Sequence, residues 1–493
     1  MMKYPKLGKH AWTSVAMVLI GMIGTQGLAA TTAAASTVRP WVTLTDKTKL
    51  LSAEAPVSFT GAAPLSLNIE VNATRRYQEM VGFGANITDA SAWLMQHRMS
   101  ADQRQRLMQE LFGAAPGLGF SFTRLTIGAS DFSLSHYSLD DVPAGQTDFA
   151  LENFSIAPME AEVLPVLKQA MLINPHLKVM ASPWSAPAWM KTSGSLIGGE
   201  LKTDAYDAYA RYFGKFADAI EAQGIPLYAV TVQNEPHYLP PDYPGMRFDS
   251  PGRARFIGEN LGPVFAKRAK HIRILEWDHN WDEPQAPLEV LSNAKARGYV
   301  AGVAWHCYKG DPSVQSGIRN GYPDKDVYFT ECSGGEGNAK WEETFPWNMR
   351  NLVIGATRNW AKSVLMWNLA LDENYGPHKG GCPDCRGIVI INSKTGEVAR
   401  NLDYYALAHA SRFVRAGAHR IDSTTGVDGL ETVAFQNADD RSIALIALNS
   451  ASTVRRFSVR AKGQTFAYSL QPGSAATFVW KTVGSSVKTL RKQ

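Results

Sequence analysis

Only four of the 493 residues are cysteines: Cys307, Cys332, Cys382 and Cys385. That scarcity excludes a small disulfide-built scaffold. No second CxxC or paired histidine supplies the further ligands that would turn Cys382-Pro383-Asp384-Cys385 into a zinc site, and no cofactor is expected. Charge of one sign is scarce too: 50 Lys and Arg face 45 Asp and Glu, for a formal net charge of +5. Lys3, Lys6 and Lys9 account for three of those charges within residues 1–30, which hold no acid. Without a basic stripe elsewhere, a nucleic-acid partner is not expected. The apolar run over residues 11–23 is too short and too interrupted by glycine for a membrane span. With lysines before it and Gly27, Ala29 and Ala30 after it, residues 1–30 read instead as a signal peptide cleaved near 29–35. The expected location is therefore secreted or periplasmic, without stable membrane insertion; a retained anchor is the competing reading.

What is present is a long alternation of strand and helix patterns. Strands are expected at 80–84, 123–127, 178–182, 228–233, 273–277, 302–306, 327–330 and 363–367. Helical patterns fall at 101–112, 160–173, 204–223, 251–269, 284–296 and 345–360, with another at 403–413. Eight strands with intervening helices predict an α/β fold of the (β/α)₈ TIM-barrel type over 78–413. After 413 the rhythm changes to short strands at 432–436, 443–449, 454–459, 467–470 and 476–481, separated by turn residues such as Pro472-Gly473. These predict a β-sandwich over 414–482, with 483–493 as a tail. Residues 31–77 are read as a flexible leader (31–40) followed by strands that join the sandwich.

Two of the barrel strands end in acids. Tyr228-Ala229-Val230-Thr231-Val232-Gln233 runs into Asn234-Glu235-Pro236, and Val327-Tyr328-Phe329-Thr330 runs into Glu331. Barrel chemistry sits where strands end, and a pair of carboxylates is what glycosidic cleavage uses. Glu235 and Glu331 taken singly read equally well as strand-end salt-bridge partners; their joint placement favours catalysis. Other strand ends bring Arg124, Asp131, Trp184, His306, Tyr308 and Trp367, a mixture suited to a sugar: aromatic faces for its C–H faces, polar groups for its hydroxyls. Each tryptophan alone reads as core, and His306 alone as a hydrogen-bonded core residue. Cys382 and Cys385 are a possible disulfide in a Gly-rich loop, whereas Cys307 and Cys332, each one residue past a strand end, read as packed free thiols.

Gly82-Phe83-Gly84-Ala85-Asn86-Ile87-Thr88-Asp89-Ala90, the segment from Ala181 to Trp189, Asn234-Glu235-Pro236, Phe329-Thr330-Glu331-Cys332 and Trp367-Asn368-Leu369-Ala370-Leu371 together resemble glycoside hydrolase family 30. The likeness runs in order over residues 40–482 and is nearest to the glucosylceramidase-like and endo-β-1,6-glucanase-like branches. It implies a barrel fused to a β-sandwich, retention of configuration and no metal. Glu235 would be the acid/base and Glu331 the nucleophile. Arg124, Asp131, Trp184, Asn234, His306, Tyr308 and Trp367 would line the subsite of the cleaved sugar. The expected activity is hydrolysis of β-glucosides of the glucosylceramidase type, on a carbohydrate or glycolipid substrate. The alternatives are an endo-β-1,6-glucanase or β-xylosidase of the same family, and a carbohydrate-binding barrel without activity. The loop 372–386, with its Cys-Pro-Asp-Cys, departs from the corresponding loop of lysosomal glucocerebrosidase.

Overall fold

The computed structural model describes residues 37–268, 271–335 and 340–481. The expected signal peptide and the 483–493 tail lie outside them. Before the barrel come β1 (Thr37–Thr43) and β2 (Asn68–Glu79). The barrel strands are β3 (Gly82–Asn86), β4 (Phe122–Thr126), β5 (Lys178–Ser182), β6 (Leu227–Thr231), β7 (Arg273–Asn280), β8 (Val300–His306), β9 (Asp326–Glu331) and β10 (Ala361–Asn368). They form one parallel eight-stranded sheet in which sequence neighbours pair and β10 returns to β3. Between β3 and β4 the ring is closed by Ser121 N donating to Phe83 O and Ile87 N donating to Arg124 O, both at 3.1 Å. Gly84 is needed at that seam, because a Cβ there would stand 2.0 Å from Phe122 O. Every β3 and β4 residue is buried, as expected of strands covered on both faces.

The outer helices include Ala101–Phe112, Val163–Ile173 and Tyr206–Ala222. Ser100 caps the first through a reciprocal bond with Gln103. Where single helices were expected at 251–269 and 345–360, each divides, with π-helical turns at Phe256–Leu261 and Met349–Ala356.

The last strands are β11 (His419–Ser423), β12 (Leu430–Gln436), β13 (Ser442–Asn449), β14 (Arg455–Ala461), β15 (Gln464–Leu470) and β16 (Ala475–Lys481). Their ladder runs β1-β16-β13-β12-β11-β2-β14-β15, wrapping a core that includes Val38, Ile69, Leu445, Phe457 and Phe478. Two sequence expectations change here. Thr37–Pro40, expected in a flexible leader, forms the first half of β1 and pairs with β16 at Arg39↔Val479. β11 falls where no strand was expected; its apolar content is slight, and it is held by pairing with β2 and β12. Barrel and sandwich meet at Arg358, which donates to Thr432 O at 2.7 Å, and at His409, whose ring nitrogens each lie 2.9 Å from a hydroxyl, of Thr43 and Thr477. Burial pushes the His409 pKa down to about 3, so the bridge is neutral.

Candidate active site

The C-terminal ends of the barrel strands surround a cavity of about 460 Å³ lined in part by Asp131, Trp184, Asn234, Glu235, Tyr308, Glu331 and Trp367. Seven of the nine expected site residues therefore face one space. The other two, Arg124 and His306, are fully buried beneath it and do not line it. Their role is to hold the residues that do.

Arg124, in the middle of β4, lies in the floor. It donates to Glu331 Oε2, to Asn234 Oδ1 at 2.7 Å, to Asp278 Oδ2 at 2.6 Å and, through Nε, to Ser182 Oγ at 3.0 Å. Its guanidinium also lies 4.7 Å from the Trp184 ring centre, and Trp184 stacks on Trp367 at 4.7 Å with a 21° interplanar angle. Both apolar and ionic surfaces of one cation are used. Glu331 is further held by Tyr308, whose hydroxyl donates to Oε1 at 2.8 Å.

His306 sits between acids. Its Nδ1 is 3.1 Å from Glu235 Oε1 and 3.7 Å from Glu331 Oε1, while Nε2 is 3.0 Å from Asp278 Oδ1. With a carboxylate oxygen at each nitrogen, the ring is held as an imidazolium that donates from both sides. Burial works against that charge, but Glu331 and the bonds to Asp278 and Glu235 outweigh it and raise the pKa to about 9. Glu235 is the counterpart. Burial raises its pKa, and the nearby rings of His279 and His306 overcome this and hold it at about 2. Asp131 is affected oppositely: burial, then the charge of Glu331, pushes it up to about 8, so near neutrality it is a carboxylic acid.

The residue that sequence reading missed is Asp278. It accepts from Ser182 Oγ at 2.9 Å, Thr231 Oγ1 and Thr330 Oγ1 at 2.7 Å each, besides Arg124 and His306. Burial would raise its pKa, but Arg124 and these hydrogen bonds hold it far below the carboxylate range. The strand was expected to stop at Trp277, yet β7 continues to Asn280 through a bulge. Ala304 pairs with Trp277 and Trp305 with His279, which leaves Asp278 without a ladder partner and turns it inward. Trp277 and Asp278 take φ of 76° and 57°, and Glu235 takes 46°; such conformations cost on the order of 1–3 kcal/mol each and persist only where the surroundings enforce them. The run Asp278-His279-Asn280 straight after an apolar strand was the available signal. Tyr238, Asp242 and Tyr243, also on the cavity wall, come from the loop after β6, which carries no such pattern.

All four cysteines are paired. Cys382–Cys385 forms, and so does Cys307–Cys332, which had been read as two packed thiols. The correction follows from register: β8 and β9 are parallel neighbours with His306 opposite Glu331, so the next residue on each is a cysteine facing a cysteine. The Cys382–Cys385 loop forms the outer wall. Lys379 N donates to Asp131 O at 3.0 Å and Gly381 N to Asp242 Oδ1 at 3.2 Å.

Against known proteins, the TIM-barrel domain of glycosyl hydrolase family 30 matches residues 80–414, and the family's β-sandwich domain matches 417–478. An endo-1,6-β-D-glucanase of Neurospora crassa is 34% identical over 89% of this chain and 93% of its own length. The lysosomal acid glucosylceramidase of Mus musculus is 27% identical over 83% of this chain and 82% of its own. A solved endo-β1,6-glucanase superposes with a TM-score of 0.84 at 33% identity, covering 90% of this chain and 99% of its own. The chain belongs to glycosyl hydrolase family 30 and is a hydrolase of glycosidic bonds.

Proposed function

We propose that the protein is an exported hydrolase of β-1,6-linked glucan that retains configuration, with Glu331 as nucleophile and Glu235 as acid/base. The observation that carries the catalytic assignment is that both carboxylates flank one imidazole nitrogen on one cavity. Their facing oxygens are 3.1 and 3.7 Å from His306 Nδ1. They therefore lie less than about 7 Å apart, which favours the shorter spacing, about 5–5.5 Å, of retaining pairs. Linkage is suggested by the relatives, of which the endo-1,6-β-glucanases share 32–34% identity and the mouse glucosylceramidase 27%.

In the first step Glu331 attacks the anomeric carbon as the glycosidic C–O bond breaks and the leaving oxygen takes a proton from Glu235. In the resting site that proton is on His306 Nδ1, and it crosses to Glu235 as charge grows on the leaving oxygen. In the second step a water loses a proton back to the Glu235–His306 pair and displaces Glu331. Asp131 as a neutral acid donates to a sugar hydroxyl, and the Trp184–Trp367 stack packs against the ring.

A glucosylceramidase-type activity, the first expectation from sequence, is the second reading. Leu239, 44% exposed beside Tyr238, offers an apolar rim. Incubation with β-1,6-glucan, gentiobiose, glucosylceramide and an aryl β-xyloside, with NMR of the first-formed anomer, tests both. Release from β-1,6-glucan as the β-anomer is expected. An α-anomer sinks retention, and cleavage of glucosylceramide alone sinks the glucan reading.

A further inference from the structure

We propose that Glu235, His279 and His306 form a binding site for a divalent transition cation of the zinc type, and that occupying it arrests hydrolysis. Glu235 follows β6, His279 lies on β7 and His306 ends β8, and one ligand atom from each falls within 4.8 Å of the others. Glu235 Oε1 is the common neighbour, 3.4 Å from His279 Nδ1 and 3.1 Å from His306 Nδ1. Two imidazoles and one carboxylate are a zinc ligand set, with a fourth position left to water. Magnesium and calcium, which take oxygen, do not suit it.

Two further observations point to a ligand. His279 is 7% exposed, and its Nδ1 has no hydrogen-bond partner although it is directed at Glu235; a buried polar atom left unpaired calls for an explanation. His306 is supported from behind. Its far nitrogen meets Asp278 Oδ1 at 3.0 Å, and Asp278 is itself fixed by Ser182, Thr231 and Thr330. A carboxylate on the outer nitrogen is how metal-binding histidines are oriented. Glu235 lines the cavity, so an ion has a way in.

Arrest follows from the ligands themselves, and this part rests on reading Glu235 as the acid/base. An ion bound by Glu235 and His306 takes the oxygen that delivers the proton and the nitrogen that stores it. The test uses the full chain. Isothermal titration with zinc chloride should show one site, and magnesium chloride none. In His279→Ala and Glu235→Gln, each lacking one ligand, zinc affinity should fall at least about tenfold. Zinc should raise the melting temperature of the wild type and not of either variant, which also shows whether each variant is folded. Hydrolysis of an aryl β-glucoside should be inhibited by zinc and restored by EDTA. No zinc binding by the wild type, or equal affinity in a folded variant, overturns the site. Full activity with the site occupied overturns the arrest. Calorimetry needs no substrate, so these outcomes are independent of the linkage hydrolysed.

Discussion

The floor and the rim of the cavity each carry a disulfide, and they do different things. Cys307 and Cys332 are 7% and 3% exposed and tie adjacent strands just beyond Tyr308's partner Glu331, closing a separation of 25 residues. Cys382 and Cys385 are half-buried and close a separation of three within one loop. By loop-closure entropy the first is worth about 3.5 kcal/mol and the second about 2. The larger difference is positional. The floor bond fixes the backbone on both sides of the Tyr308–Glu331 contact, whereas the rim bond shapes a wall that meets Asp131 through the Lys379 main-chain N–H.

Four experiments sharpen or break that contrast. The largest effect belongs to the carboxylates of the floor. Glu331→Gln should lower kcat by about 10⁴-fold or more on every β-glucoside. Glu235→Gln should lose about 10²–10⁴-fold on substrates with poor leaving groups. With a dinitrophenyl leaving group, glycosylation by this variant should survive, and azide should restore turnover as the β-glycosyl azide. Azide with Glu331→Gly should give the α-azide; products the other way round reverse the two roles.

Next is the floor disulfide. Cys307→Ser with Cys332→Ser should lower kcat about tenfold or more with little change in KM, because ordering of Glu331 is lost rather than sugar contacts. An unchanged kcat in a folded variant would remove the catalytic meaning of the bond. Thiol titration of the denatured, unreduced wild type should find no free cysteine.

The third concerns pH. Asp131 is raised to about 8 and His306 to about 9, so between their unfolded values and these the folded chain binds more protons than the unfolded one. The stability these two groups contribute then falls as pH rises, outweighing the opposite slope of buried His409 and Lys191. The melting temperature should decline from pH 5 towards 9. Asp131→Asn should remove the part lost between about pH 4 and 8, and a decline identical to wild type would show that Asp131 is not the group responsible. Smallest is the rim: Cys382→Ser with Cys385→Ser should raise KM a few-fold and leave kcat within about twofold, and a kcat loss matching that of the floor pair would erase the contrast.

Much of this was legible in the chain. Strand ends at Asn234-Glu235 and Glu331 stand out because an apolar, β-branched run gives way at once to polar residues, and a barrel buries such runs on both faces. Asp278 did not stand out, since its place depends on a bulge that pattern counting does not register. The Cys307–Cys332 bond was hidden for a related reason. Each cysteine was read against its own strand, and only the pairing of β8 with β9 makes them neighbours. Arg124 looked like a sugar ligand because a polar group near a strand end can bind hydroxyls; it lies in the middle of β4 instead, where four buried acceptors hold it in the floor.

β2 leads almost directly into the first barrel strand while lying between β11 and β14 in the sandwich, and β1 pairs with β16. Thr43 and Ala475 are partners about 430 residues apart in sequence. At ribosomal speeds of about 5–20 residues per second, the first strand waits roughly 20–90 s for its last neighbour to be made. The sandwich is thus a clasp that closes only on a finished chain. A product that stops before Ala475 has its barrel sequence entire but leaves β1 with an open edge, the kind of surface on which unrelated strands add.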